Sequence, residues 1–272
     1  MNILDAKNFL KLSIPNISES DINRILMHIL KIDKNSLILN KNIGLSRYDK
    51  EVFLDIIERL KSHEPLQYIL GIWEFMGLEF ELCNHVLIPR FETELLVDFI
   101  LKKETGDGLE IGVGTGCISI SLAKIGNINM TGVDISEYAI KLSKKNAKKL
   151  DICSKTNFIL SDIFPRKYSK FDFIVSNPPY ISKLDMQNLP KSVLFEPKLA
   201  LYGGKDGLDF YRKITKDASK FLNPKGRIYY EIGYNQAIDI KKILIQNGFI
   251  NIHIIKDFAG FDRIVYAELE SN

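Results

Sequence analysis

The chain carries Asn177-Pro178-Pro179-Tyr180 directly after an apolar run, Phe171 to Ser176. Two adjacent prolines cannot extend a strand, because each lacks a backbone N–H and fixes φ. The four residues do suit one task, the clamping of a planar NH2 group. Such a group needs two acceptors for its N–H bonds and a nitrogen aimed at the atom it attacks. The Asn177 side-chain carbonyl can be one acceptor and the main-chain carbonyl of Pro178 the other. The prolines hold that carbonyl rigid, which reduces the reorganisation needed to reach attack geometry. Accepting both bonds also stabilises positive charge developing on the nitrogen. Tyr180 offers a flat face for stacking. The plain alternative is a proline-terminated strand followed by a buried tyrosine.

A second constellation is Glu110-Ile111-Gly112-Val113-Gly114-Thr115-Gly116, followed by Asp134. Glycines where a strand meets a helix let the backbone approach a ligand, and the helix N-terminus offers unpaired N–H groups. No Lys-Ser/Thr pair follows, so this is not a phosphate loop. The dinucleotide fingerprint almost fits, but Cys117 stands in place of its third glycine. Asp134 closes the next apolar run, at the spacing where a carboxylate accepts from ribose hydroxyls. The pair points to a nucleoside cofactor. Its plain alternative is a glycine-rich turn with a helix-capping aspartate.

The elements that must position these residues alternate strand and helix from Asp107 onward. Strands are expected over 108–114, 129–135, 157–163, 171–177 and 226–233, with helices between them. Two last strands, 249–257 and 262–270, are joined by a short glycine-containing loop and should pair antiparallel. This predicts a doubly wound α/β sheet with helices on both faces. Ligands bind such sheets outside the carboxyl ends of the strands, where Asn177 would face the glycine turn.

Residues 1 to about 75 read as a small helical bundle. Ser18 to Asp21 supply cap candidates for one helix, and Ser46-Arg47-Tyr48-Asp49 resembles a capping box for another. Between bundle and sheet, Phe75, Leu78 and Phe80 and then Val86-Leu87-Ile88 suggest two strands about a turn at Leu82 to His85. A helix is expected from Thr93.

The 272 residues are 46% hydrophobic with a net charge of +3. That balance fits a globular protein and lacks the basic excess of a nucleic-acid binder. No apolar run approaches the roughly 20 residues of a membrane span, and the first residues contain no signal-peptide pattern. Cys83, Cys117 and Cys153 are scattered and odd in number, which favours a reducing cytoplasm over a disulfide framework. Cys83 and His85 lack a second ligand pair at metal spacing, so no metal is expected. Lys141 to Leu150 reads as the solvated face of an amphipathic helix.

The glycine turn with Asp134 resembles a class I S-adenosylmethionine-dependent methyltransferase. The Asn-Pro-Pro-Tyr stretch is similar to the motif of enzymes that methylate planar nitrogens. The stretches 65–80, 86–97, 195–208, 229–236 and 257–265 resemble the release-factor glutamine methyltransferases, also called HemK or PrmC. Three positions depart from that pattern: Phe91 where proline is usual, Glu110 where aspartate is usual, and Ile163 where some members carry tryptophan.

The resemblance implies a seven-stranded sheet with an antiparallel last strand, preceded by a helical bundle. It divides the chain into a substrate-docking helical domain (1–72), a β-hairpin linker (73–92) and a methyltransferase domain (93–272). It implies methyl transfer to the N5 amide of the glutamine in the Gly-Gly-Gln loop of class 1 peptide chain release factors. Gly112, Val113, Gly114, Thr115 and Gly116 would hold the methionine part of S-adenosylmethionine, Asp134 the ribose and Ile163 the adenine. Asn177, Pro178, Pro179 and Tyr180 would hold the glutamine, with Asn177 also at the cofactor. A monomer without nucleic-acid contacts is expected. The competing readings are a ribosomal-protein glutamine methyltransferase, a nucleic-acid amine methyltransferase and a non-catalytic cofactor sensor.

Overall fold

The computed structural model describes residues 1–39, 43–167 and 169–270; residues 271 and 272 of the expected last domain lie outside the described residues. The chain divides into two compact units, residues 1–72 with 191–195 and residues 73–190 with 196–272.

The first unit contains α1 (Ile3–Ser13), α2 (Glu19–Leu30), α3 (Lys34–Leu39), α4 (Arg47–Lys61) and α5 (Leu66–Leu70). Ser18 caps α2 by accepting from the Asp21 N–H, and Ser46 with Asp49 forms a reciprocal capping box on α4. Both starts follow from the side-chain oxygen that satisfies an orphan N–H of the first turn. Ile22, Ile25, Leu26 and Ile29 recur at helical spacing and pack with Leu10, Phe53 and Ile57 into the bundle core.

The second unit opens with a hairpin, β1 (Ile72–Phe75) and β2 (Leu78–Glu81), joined by Met76 and Gly77. This corrects the expected connector. The turn lies at Met76-Gly77 rather than at Leu82 to His85, and Val86-Leu87-Ile88 is not a strand. A two-residue hairpin needs positive φ at its centre. Met76 (φ 51) and Gly77 (φ 70) both supply it, although methionine gives no sequence sign of that conformation.

The alternating part runs through α6 (Phe91–Leu101), β3 (Asp107–Ile111), α7 (Cys117–Gly126), β4 (Asn129–Asp134), α8 (Glu137–Lys149), β5 (Thr156–Leu160) and β6 (Phe171–Ser176). It continues with α9 (Lys198–Leu201), α10 (Asp209–Ala218), β7 (Leu222–Glu231), α11 (Ala237–Gln246), β8 (Phe249–Lys256) and β9 (Asp262–Leu269). The sheet order is β5-β4-β3-β6-β7-β9-β8. Only β9 runs against its neighbours. The expected doubly wound sheet with an antiparallel last strand is therefore present. Near-continuous apolar burial of β3 and β6 reflects helices on both faces. One core layer joins Leu109, Ile174, Ile228 and Val265 to α10 and α11, and the other joins Phe173, Val175 and Tyr229 to α6 and α7.

Candidate active site

Parallel register brings the carboxyl ends of four strands to one edge. Ile111 pairs with Val133 on one side and with Ser176 on the other, and Asp134 pairs with Leu160. Ser176 fixes the join further, donating its hydroxyl to the Ile111 carbonyl at 2.7 Å. The residues that follow these strands must therefore converge. They line a cleft whose walls include Gly112, Gly114, Asp134, Ile163, Asn177, Pro178 and Pro179.

The glycine turn leaves β3 through Gly112 (φ 81), Gly114 (φ 56) and Gly116 (φ 82). A Cβ added at Gly114 would meet no protein atom within 4 Å. The residue is thus glycine for its left-handed backbone, and the turn faces open cleft rather than packed protein. Gly116 is the N-cap of α7 and has no side chain to satisfy the helix. Glu110 substitutes for it. Its carboxyl accepts from the Ser119 N–H at 2.9 Å and from the Ser119 hydroxyl. Complete burial outweighs those bonds and pushes the Glu110 carboxyl up to about 8. Its carboxyl faces the helix rather than the cleft, so its task is structural.

Asp134 accepts from the Gly114 N–H and the Ser136 N–H, each at 2.9 Å through a different oxygen. A carboxylate offers about four acceptor sites, so two remain for hydroxyls in the cleft. Burial raises its pKa, against the pull of the backbone bonds. Ile163 has φ 62. A β-branched residue is strained there by about 1–3 kcal/mol, and the strain sits on the cleft wall. Exposed Ile135 and Leu199 add apolar surface to the same cleft. Open glycines, a carboxylate with spare acceptor sites and apolar walls fit the methionine, ribose and adenine parts of S-adenosylmethionine.

Asn177 is half-buried beyond β6. Its Nδ2 donates to Thr93 Oγ1 at 3.2 Å, and the Thr93 hydroxyl donates to Glu231 Oε2 at 2.6 Å. Burial pushes the Glu231 carboxyl up to about 7. The backbone after the prolines is clamped from behind. Gln236 Nε2 donates to the Tyr180 carbonyl at 3.0 Å, and Ile181 exchanges main-chain bonds with Leu201 and Gly203. A Cβ at Gly203 would lie 2.5 Å from the Pro179 carbonyl oxygen. Only glycine permits that approach.

Other expected site residues lie elsewhere. Val113 and Thr115 are buried beneath the turn at 2% exposure each. The Thr115 carbonyl there accepts from Asn146 Nδ2 at 2.9 Å. Gly116 packs against Ile120 and Ser143. Tyr180 lines a neighbouring concavity with Gly233, Tyr234 and Gln236. Its phenol is pushed well up by burial and the nearby Glu231 charge, so it stays protonated.

Sequence reasoning missed Thr93, Glu231 and Glu196. Glu196 is 5% exposed; it accepts from the Ile88 N–H at 3.1 Å and pairs with Arg90. It thereby ties the 85–90 segment to the 197–200 segment, and both contribute to the cleft. His85 stacks on Tyr138 with ring centroids 4.1 Å apart. A charged residue in an otherwise apolar stretch was the available signal for Glu196 and Glu231.

Residues 91–204 match the family described as methyltransferase small domain, and residues 3–71 match the PrmC N-terminal domain. A release factor glutamine methyltransferase of Fusobacterium nucleatum is 42% identical over 91% of this chain and 72% of its own length. A bifunctional methyltransferase of Rickettsia prowazekii is 35% identical, and the chain spans 55% of it. A crystal structure of a methyltransferase from Pyrococcus furiosus superposes with a TM-score of 0.58 at 18% identity, covering 83% of this chain and all of that one. The fold is that of the class I S-adenosylmethionine-dependent methyltransferases. A release factor glutamine methyltransferase of Clostridium acetobutylicum is 36% identical over 97% of this chain and 96% of its own, and the chain belongs to the release factor glutamine methyltransferase family.

Proposed function

We propose that this chain transfers a methyl group from S-adenosylmethionine to the N5 amide of the glutamine in the Gly-Gly-Gln loop of class 1 peptide chain release factors. Family membership supports the reaction and the substrate. The observation that carries the reading is the Asn177 amide, held at the end of β6 beside the glycine turn with its NH2 turned away to Thr93.

Gly112 and Gly114 admit the methionine part, Asp134 the ribose and Ile163 the adenine. When bound, the cofactor supplies an electrophilic methyl carbon. Asn177 Oδ1 and the Pro178 carbonyl accept the two N–H bonds of the substrate amide, which aims its nitrogen into the cleft. Delocalisation makes that nitrogen a weak nucleophile, so orientation and stabilisation of the developing charge are the chain's main contributions. Tyr180, kept as a neutral phenol, lines the adjoining concavity rather than the cleft itself. The charged nitrogen formed on transfer is acidic enough to lose its proton to water, so no general base is required. The helical bundle serves release-factor docking. The chain acts as a monomer in the cytoplasm without direct contact to nucleic acid, in keeping with its modest charge and free cysteines.

The test is Asn177→Ala. Removing one fixed acceptor should lower turnover by about 10²-fold or more, while cofactor affinity, measured by calorimetry, changes far less. Persistent turnover in this variant would overturn the clamp.

A further inference from the structure

A carboxamide has an acceptor end and a donor end of nearly the same shape. Only the acceptor end serves a substrate that itself brings two N–H bonds. Something must therefore decide which way the Asn177 amide faces. Thr93, at the start of α6, and Glu231, at the end of β7, are 2% and 1% exposed, so water does not compete for their bonds. A hydroxyl has one proton. With that proton donated to the Glu231 carboxylate, Thr93 Oγ1 can only accept, and it accepts from Asn177 Nδ2.

We propose that Thr93 and Glu231 are positioning residues that set the polarity of the Asn177 amide, leaving Oδ1 to face the substrate nitrogen. This rests on the clamp described above. The ionised carboxylate gives the chain of bonds its direction. A protonated Glu231 can donate to Thr93 Oγ1 instead, which frees the hydroxyl proton to point at Asn177. The amide then turns over and presents NH2 to the substrate, donor against donor.

Glu231 is faced by Arg90 and Glu92 at the start of α6, Cys117 of α7, Tyr180 after β6, Tyr211 of α10 and Arg263 of β9. The two arginines favour the ion and Glu92 opposes it, while burial is the largest influence and raises the group to about 7. Tyr211 donates its hydroxyl to the Glu231 main-chain carbonyl at 2.8 Å and leaves the carboxyl to Thr93. Turnover should accordingly rise with pH through about 7, as the carboxylate forms.

The experiment uses the full chain with a release factor and saturating cofactor, and compares Thr93→Val, Thr93→Ser, Glu231→Gln and Asn177→Ala. Glu231→Gln should remove the dependence of turnover on pH, and Thr93→Val should lower kcat by about tenfold to a hundredfold with cofactor affinity nearly unchanged. Thr93→Ser, which keeps the hydroxyl, should restore most of it. Wild-type kcat should show the inflection near pH 7, and Thr93→Val should lack it. Wild-type kcat and an unchanged pH profile in Thr93→Val, with Asn177→Ala inactive, would overturn the polarity device and leave the clamp intact. An active Asn177→Ala would instead remove the clamp itself. If Thr93→Val does not fold, Glu231→Gln and the wild-type profile decide: an inflection retained in the former, or none in the latter, refutes the proposal.

Discussion

Glu110 offers a measurable conflict between burial and helix capping. Its carboxyl lies under the glycine turn, at the N-terminus of α7, where two Ser119 donors and the helix dipole favour the anion. Burial opposes them and prevails, raising the group from 4.5 to about 8. The folded state therefore binds this proton more tightly than the unfolded chain. Its stabilising effect is complete below the unfolded pKa and declines as pH rises through about 8. At about 1.4 kcal/mol per unit, and less close to each pKa, the loss between about pH 5 and pH 8 is about 3–4 kcal/mol. Glu110→Gln removes the titration. Its amide brings an additional N–H that lacks an acceptor, a penalty of about 1–3 kcal/mol that does not vary with pH. The difference between variant and wild type should thus shift in the variant's favour by about 3–4 kcal/mol over that range, whatever its value at acid pH. The assay is urea unfolding at several pH values, followed by fluorescence of Trp73, the single tryptophan, which belongs to the sheet-containing unit. Parallel pH curves for the two proteins would show instead that capping holds Glu110 ionised in the folded chain.

Two further perturbations probe the cleft. Glu196→Ala leaves Arg90 without its partner and the Ile88 N–H without its acceptor; a loss of about 1–3 kcal/mol is expected, with weaker cofactor binding in calorimetry because both tied segments line the cleft. Asp134→Asn exchanges an acceptor-only group for one that also donates; cofactor affinity should fall by about tenfold or more, while Asn177-dependent turnover at saturating cofactor is largely retained.

Much of the sheet was legible because buried parallel strands are apolar runs that end at glycines or prolines. Phe171 to Ser176 and the glycine turn after Ile111 are of this kind, and Ser18 and Ser46 marked helix starts through side-chain oxygens. The hairpin turn was not legible, since Met76 adopts positive φ without any compositional sign. The short helix α9 (Lys198–Leu201) was not foreseen either, and beside it Glu196 is anchored to Ile88 across 108 residues. The polarity network was equally hidden. Asn177 lies 84 residues from Thr93, and Thr93 lies 138 from Glu231. A motif names the residue that meets the substrate, whereas its orientation is fixed by contacts that only the folded chain brings together. Thr93 and Glu231 lay inside the stretches 86–97 and 229–236, quoted for their resemblance but given no role.

The most direct test of the central claim is intact-mass analysis of a class 1 release factor after incubation with this protein and S-adenosylmethionine. Release-factor methylation predicts a gain of one methyl group in place of one hydrogen, lost when the glutamine of the Gly-Gly-Gln loop is replaced. An unmodified release factor, with cofactor binding demonstrated separately, would contradict it and direct the Asn177 clamp to a different planar nitrogen.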